Sequence, residues 1–285
     1  MVNISVIGAG TMGHGIALAF AQAGHPAVLH DVDAGQVKRA MSVIDQRLMR
    51  RLKKGRLHEE SRRAIMDRIA PTTRLEEACA QADVVIEAIP ERLDQKISLF
   101  RDLDRMAPDG AILCSNTSQL SVTAMAMATD RPDRVIGTHW FVPPDVMRLV
   151  EVVRTIYTSD ETVAAIVELC QESGKDTVVC RDFQGFITSR IALAVVLEAV
   201  RVLEEGVATA EDIDKAVELG LNHPMGPLRL ADMGGLDTIL FAADAMRDAA
   251  GDRFRASQTF RKLVEAGSTG RKAGRGFFDY SSDAS

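Results

Sequence analysis

Residues 4–13 read ISVIGAGTMG and decide the fold of this chain. A short apolar run, Ile4–Ile7, is followed at once by the pattern G-x-G-x-x-G and then by a helical stretch, Thr11–Ala23. A second apolar run, Val28–His30, comes next and is directly followed by Asp31. A strand, a glycine-rich turn, a helix and a second strand in this order are typical of a doubly wound, dinucleotide-binding α/β fold.

Each position of the glycine pattern has a physical role. Gly8 permits a tight turn, Gly10 lets a pyrophosphate approach the backbone, and Gly13 allows the helix to pack closely on the strand. Thr11 and Met12 lie in the first turn of the helix, where unpaired N–H groups and the helix dipole attract a diphosphate. We therefore predict that these five residues bind the cofactor.

Asp31 predicts which dinucleotide binds. It lies 18 residues after Gly13, where a carboxylate accepts hydrogen bonds from the two hydroxyls of the adenosine ribose. A 2′-phosphate would meet a like charge there, so NAD is expected rather than NADP. Asp33 is the less favoured candidate because we expect it to begin the next helix.

The rest of the chain predicts two domains. Helical patterns at about Gly35–Lys54 and Asp94–Met106 alternate with five further apolar runs, at Val84–Ala88, Ile112–Cys114, Val135–Gly137, Val150–Val153 and Thr177–Val179. This alternation indicates a doubly wound, mostly parallel Rossmann-type sheet covered by helices on both faces. From Phe186 onward only helical patterns recur, including a helix predicted to begin at Thr209. We predict an NAD-binding domain over residues 1–183 and an all-helical domain over residues 184–285.

Composition excludes several classes of protein. The 285 residues carry 34 basic and 40 acidic side chains, for a net charge of −6, and 46% are hydrophobic. These values are typical of a folded globular protein and argue against a nucleic-acid partner or a polybasic membrane anchor. No apolar run is long enough to span a membrane, and the N-terminus does not read as a signal peptide. The four cysteines have no metal-ligand spacing, so we expect no metal and a reducing, cytoplasmic location.

The candidate catalytic residues follow later strands of the predicted sheet. Ser115–Ser118, with the sequence SNTS, follows one strand, and His139-Trp140-Phe141 ends the strand that begins at Val135. Glu151 lies inside the apolar run LVEVV, where an unpaired carboxylate would be costly. An imidazole suits the removal of a proton from an alcohol, and a buried carboxylate would orient its ring. We predict that His139 and Glu151 form a general-base pair, that a serine binds the reacting oxygen, and that Ser115 lies at the cofactor.

The ordered motifs of the whole chain resemble the L-3-hydroxyacyl-CoA and 3-hydroxybutyryl-CoA dehydrogenase family. The matching stretches are GAGTMG, ADVVIEAIPE, SNTSQLSVT, RPDRVIGTHWF, VMRLVEVV, GKDTVV, GFITSR, EGVATAEDIDKA, NHPMGP, GLDT and GRKAGRGFFDY. The resemblance implies NAD-dependent oxidation of an (S)-3-hydroxyacyl-CoA to the 3-oxoacyl-CoA, or the reverse reduction, as in fatty-acid β-oxidation. It also implies a homodimer formed through the helical domain.

The resemblance assigns roles to individual residues. His139 is implied as the base, Glu151 as its partner and Ser118 as the contact of the substrate hydroxyl. Residues implied near the two ligands are Ala88, Glu91 and Lys96 for NAD, and Lys53 and Lys54 for coenzyme A. A solvated helix face is the alternative explanation of the basic cluster that contains these two lysines.

Two positions depart from the family pattern. Val142 stands where the family usually has an asparagine after the aromatic pair, and Ser189 replaces the asparagine of the GF-x-x-N-R motif. Ser189 still offers a hydrogen bond and is retained as a candidate catalytic residue, whereas Val142 offers none. The alternatives left open are the same hydride chemistry on a carnitine-like, sugar-acid-like or carrier-bound substrate, and a non-catalytic dinucleotide-binding protein.

Overall fold

The computed structural model describes residues 1–281, and the chain divides into two compact units between Phe183 and Gln184. The first unit combines a sheet with flanking helices, and the second is helical. The strands of the first unit are β1 Ile4–Ile7, β2 Ala27–His30, β3 Ile69–Thr72, β4 Val84–Glu87, β5 Ile112–Ser115, β6 Val135–Trp140, β7 Leu149–Arg154 and β8 Asp176–Arg181.

The helices surround this sheet or build the second unit. Those of the first unit are α1 Thr11–Gln22, α2 Ala34–Lys53, α3 Glu59–Asp67, α4 Leu75–Cys79, α5 Leu93–Met106, α6 Val122–Ala126 and α7 Asp160–Glu172. Those of the second unit are α8 Thr188–Glu204, α9 Ala210–Gly220, α10 Pro227–Gly234, α11 Leu236–Ala250 and α12 Gln258–Glu265.

The eight strands form one sheet in the order β3-β2-β1-β4-β5-β6-β7-β8. Neighbouring strands are parallel except β6 and β7, which are antiparallel. The predicted doubly wound, mostly parallel sheet is therefore confirmed. Strands β1, β4, β5 and β6 are buried along their whole length, as expected when helices cover both faces of a parallel sheet.

The strand order reverses at β1, which pairs with β2 on one side and with β4 on the other. Ligands of open α/β sheets bind in the crevice that such a reversal opens beyond the carboxyl ends of the strands. One further hydrogen bond follows the end of each ladder there. The N–H of Gly8 donates to the His30 carbonyl at 2.8 Å beside the β1–β2 ladder, and the N–H of Ala88 donates to the Ile7 carbonyl at 2.7 Å beside the β1–β4 ladder. This edge of the sheet is where the polar candidate residues gather.

One predicted strand ends too early. The run Val135–Gly137 continues to Trp140, because Thr138, His139 and Trp140 keep pairing with β7. His139 therefore lies within β6, one residue before the strand ends. Its Cα partner across the antiparallel ladder is Glu151.

In the second unit, α9 begins as the sequence predicted, because Thr209 accepts a hydrogen bond from the Asp212 N–H.

Two buried carboxylates connect segments of the second unit. Asp214 is fully buried and accepts from the N–H groups of Leu228 and Arg229 at the start of α10. Asp232 is also fully buried and accepts from two backbone N–H groups of the chain end, at residues 277 and 278.

Candidate active site

A cleft of about 900 Å³ lies at the switch point of the sheet. The sequence-predicted cofactor residues that line it are Gly8, Gly10, Thr11, Met12, Asp31 and Ala88. The chain from the end of β4 to α5 forms another wall, which includes Ile89, Pro90 and Leu99. The cleft thus combines a glycine-rich floor with apolar walls, which suits a flat aromatic ligand that carries phosphates.

The glycines fit a dinucleotide. Gly8 has φ of +105°, and a side chain there would come within 2.6 Å of the Ala88 carbonyl oxygen. A Cβ on Gly13 would lie 1.7 Å from the carbonyl oxygen of Gly8, so only glycine lets α1 pack this closely. A Cβ on Gly10 would meet no protein atom within 4 Å, which leaves the space beside its backbone open for a pyrophosphate.

Asp31 is held at the tip of β2 by backbone N–H groups. Its Oδ2 accepts from Ala9 at 2.9 Å and its Oδ1 accepts from Asp33 at 3.0 Å. Asp33 itself caps α2 by accepting from the Gly35 N–H, as the sequence predicted. The carboxylate of Asp31 is thus fixed on the wall of the cleft. There it can accept hydrogen bonds from ribose hydroxyls and repel a 2′-phosphate.

A second, buried cluster lies at the ends of β4 and β5. The Glu87 carboxylate is fully buried and accepts from Lys96 Nζ at 2.5 Å, from the Ile89 N–H at 2.7 Å and from Ser115 Oγ at 2.6 Å. Burial raises the pKa of Glu87, and the Lys96 ammonium opposes that rise. Lys96 and Ser115 were predicted at the cofactor; the structure buries both side chains against Glu87, and neither lines the cleft.

Glu91 connects this cluster to Ser118. Its Oε2 lies 3.3 Å from Lys96 Nζ, and its Oε1 accepts from Thr117 Oγ1 at 2.5 Å and from the Ser118 N–H at 3.0 Å. The Ser118 hydroxyl also lies 3.4 Å from the same oxygen. Ser118 itself is half-buried.

His139 and Glu151 form the pair that the sequence predicted. His139 Nδ1 lies 2.6 Å from Glu151 Oε2, and the Glu151 side chain is fully buried. A carboxylate only accepts hydrogen bonds, so the proton resides on Nδ1 and the accepting lone pair lies on Nε2. The chain that follows β5 is linked to β6 beside this pair, because the Trp140 N–H donates to Asn116 Oδ1 at 3.0 Å. This arrangement can remove a proton from a hydroxyl and stabilise the imidazolium that forms.

The other predicted residues lie elsewhere in the fold. Lys53 and Lys54 are exposed at the end of α2. Ser189 lies in the first turn of α8, in the second unit. Val142, one of the two departures from the family pattern, is 64% exposed in the segment that connects β6 to β7.

Sequence reasoning missed two contributors to this edge of the sheet. Gln36 lines the cleft and donates to the Ala9 carbonyl at 2.9 Å, and nothing in its sequence context marks it. Glu87 did carry a signal, because it ends the apolar strand VVIE just as Glu151 interrupts LVEVV.

Comparison with known protein families gives the same assignment for both units. Residues 3–183 match the 3-hydroxyacyl-CoA dehydrogenase NAD-binding domain, and residues 185–280 match the 3-hydroxyacyl-CoA dehydrogenase C-terminal domain. The chain belongs to the 3-hydroxyacyl-CoA dehydrogenase family. The predicted resemblance and the predicted NAD cofactor are therefore confirmed.

Relatives of this dehydrogenase match over nearly their whole length. A probable 3-hydroxybutyryl-CoA dehydrogenase of Bacillus subtilis is 43% identical over 279 residues, which cover 98% of this chain and 97% of the relative. The human mitochondrial hydroxyacyl-coenzyme A dehydrogenase is 39% identical, with 98% and 91% covered. The crystal structure of (S)-3-hydroxybutyryl-CoA dehydrogenase from Ralstonia eutropha superposes with a TM-score of 0.95 at 39% identity, covering 98% of this chain and 99% of that one.

Over residues 1–281, the helices of this dehydrogenase are too short or too polar to cross a lipid bilayer.

Proposed function

We propose that this protein oxidises (S)-3-hydroxyacyl-CoA thioesters, such as 3-hydroxybutyryl-CoA, to 3-oxoacyl-CoA with NAD, or catalyses the reverse reduction. The observation that carries the proposal is the 2.6 Å contact between His139 Nδ1 and Glu151 Oε2 at the sheet edge that also bears the dinucleotide cleft. Family membership supplies the reaction class, and this pair supplies a base suited to it.

The His139–Glu151 pair handles the proton. His139 Nε2 accepts the proton of the 3-hydroxyl group while the C–H bond at C3 breaks and the C3=O double bond forms. Glu151 keeps the ring in the orientation that presents Nε2 and stabilises the positive charge that develops on it. In the reverse direction the same imidazolium returns the proton to the oxygen. The glycine turn and Asp31 would hold NAD, which would supply the hydride acceptor for the oxidation and, as NADH, the hydride donor for the reverse reduction.

Ser118 binds the reacting oxygen in this proposal. Ser118 is half-buried, and its backbone N–H donates to Glu91 at 3.0 Å, so the oxygen of the substrate would meet a fixed hydrogen-bond partner. Such a partner stabilises the charge that develops on the oxygen in the transition state. Ser189 supplies a further hydrogen bond with a shorter reach than the asparagine of the family pattern.

The remaining assignments concern the cofactor, the thioester and the assembly. Residues 1–183 bind NAD through the glycine turn and Asp31. Lys53 and Lys54 are exposed cations that can meet the phosphates of coenzyme A. Residues 184–285 form a homodimer interface, for which the exposed Phe241 and Leu219 of this unit are suitable. The protein acts in the cytoplasm, which is consistent with its unpaired cysteines.

The test is NADH consumption by the purified protein with acetoacetyl-CoA, run in parallel with NADPH. We expect fast turnover with NADH and little with NADPH, because Asp31 repels a 2′-phosphate. His139→Ala is expected to lower kcat by roughly 10²–10⁴-fold while NADH still binds.

Two outcomes would change the assignment. Unchanged turnover in His139→Ala would overturn the role of the pair. The protein could instead bind NADH, fail to turn over acetoacetyl-CoA and show no competition between coenzyme A and that substrate. This result would indicate a non-CoA substrate, and Val142 and Ser189 would then mark the change of substrate.

A further inference from the structure

We propose that Glu87 is a positioning residue of the active site, which acts through Lys96 and Glu91 to fix Ser118. This inference rests on the proposed function. It adds a residue outside the base pair and outside the lining of the cofactor cleft.

The first step of the argument is the burial of Glu87. Its side chain is 0% exposed, and that of Lys96 is 1% exposed. An ion pair removed this completely from water contributes little net stability, and apolar residues of similar volume often serve equally well. Filling this space does not by itself require charged side chains, so the charge of the pair is explained by what it holds.

The second step is the way in which Glu87 uses its two oxygens. Oε1 accepts from Lys96 Nζ and from the Ile89 N–H, and Oε2 accepts from Ser115 Oγ, its neighbour across the β4–β5 ladder. Ser115 Oγ in turn accepts from the Thr117 N–H at 3.2 Å. The carboxylate thus fixes the direction of the chain as it leaves both strands.

The third step leads from Lys96 to Ser118. Lys96 Nζ contacts both Glu87 and Glu91, at 2.5 and 3.3 Å. Glu91 is 32% exposed and would be solvated without this cation. Held by Lys96, it accepts from the backbone N–H and the hydroxyl of Ser118 and from Thr117 Oγ1. The rotamer of Glu91, and with it the position of Ser118, depends on a cation that Glu87 holds in place.

The deciding experiment separates positioning from stability. Lys96→Met leaves the buried Glu87 carboxylate without its cation, and Glu87→Met leaves the buried Lys96 ammonium with only the partly exposed Glu91 carboxylate, so each is expected to lower Tm by roughly 6–20 °C. The double variant Glu87→Met/Lys96→Met removes both charges and should regain most of that loss. Its kcat with NADH and acetoacetyl-CoA should nevertheless stay about 10–100-fold below wild type, because Glu91 no longer holds Ser118.

Two further readouts do not depend on substrate. The NADH dissociation constant, measured by fluorescence, should change by less than about 3-fold, because neither Glu87 nor Lys96 lines the cleft. Amide hydrogen exchange over residues 115–120 should become faster in the double variant. These measurements test the network even if wild-type protein shows no turnover with acetoacetyl-CoA, a result that would contradict the proposed function alone.

A matched control is available on the same helix. Asp104 in α5 pairs with Arg131 at 2.8 Å, and both side chains are largely buried, at 10% and 13% exposure. Arg131→Met should lower Tm and leave kcat and the exchange of residues 115–120 unchanged.

A double variant with wild-type kcat and wild-type exchange at residues 115–120 would overturn the proposal. If the double variant does not fold, the Glu87→Gln variant tests the proposal, because glutamine keeps the volume of the glutamate side chain and removes only its charge. A reduced kcat with retained NADH affinity supports the positioning role, and wild-type kcat rejects it.

Discussion

At the scale of single residues, a charge buried among apolar neighbours is the most informative feature of this chain. Glu151 interrupts an apolar strand, and the sequence predicted from this alone that it must have a partner. His139 is that partner, at 2.6 Å. The same argument applies to Glu87, which ends the apolar strand VVIE and pairs with Lys96 at 2.5 Å, whereas the family resemblance implied that Lys96 lies near NAD.

Glu151→Gln tests the electrostatic part of the pair. The amide keeps the size of the side chain but loses the charge that stabilises the imidazolium, and it can orient the wrong tautomer of His139. We expect kcat to fall by roughly 10²–10⁴-fold with little change in NADH affinity. Steady-state kinetics and NADH fluorescence titration measure both. A kcat within a few-fold of wild type would show that His139 acts without its partner.

At the scale of elements, the sequence predicted strands with a strong apolar pattern and missed those without one. Strand β3 has the sequence IAPT, with only Ile69 buried, and Pro71 cannot donate to the ladder; such a strand is tolerated only at the sheet edge, where it lies. The antiparallel turn between β6 and β7 could not be predicted either. It depends on long-range pairing that extends β6 through His139.

Gly137 tests how far the β6–β7 pairing controls the site. A Cβ at this position would lie 2.8 Å from Val153 Cβ on β7 and 3.1 Å from Val122 Cγ2 on α6. Gly137→Ala should therefore destabilise the fold by about 1–3 kcal/mol through overpacking. It should also lower kcat, because β7 carries Glu151.

Denaturant unfolding and kinetics measure both effects of Gly137→Ala. Gly110→Ala is the control, because a Cβ there meets no atom within 4 Å. Equal stability and equal kcat in the two variants would show that the strands adjust without moving the pair.

At the scale of the whole molecule, buried neutral histidines couple stability to pH. Burial lowers the pKa of His14, His25 and His30 below 6.5, their ordinary value. Below that value the unfolded chain binds more protons than the folded chain, so stability falls as pH falls towards the folded-state pKa values. Each histidine contributes at most about 1.4 kcal/mol per pH unit.

Thermal unfolding between pH 8 and pH 5.5 measures this coupling. Tm should be nearly constant above pH 7 and should decrease below about pH 6.5. His25→Gln removes one of the three groups and should make the decrease shallower. An identical slope in wild type and variant would show that His25 does not contribute.

The cross-strand register of His139 and Glu151 has a consequence for how this enzyme can change. The two side chains that we propose to handle the proton are aligned by the backbone ladder of β6 and β7, and in the segment between them, residues 141–148, Phe141 packs against the His139 ring with the ring centroids 4.5 Å apart. Sequence change beyond Phe141 is therefore separable from the alignment of the pair. A laboratory redesign or natural divergence that alters residues 142–148, with Val142 as the exposed starting position, is expected to keep His139 and Glu151 in register.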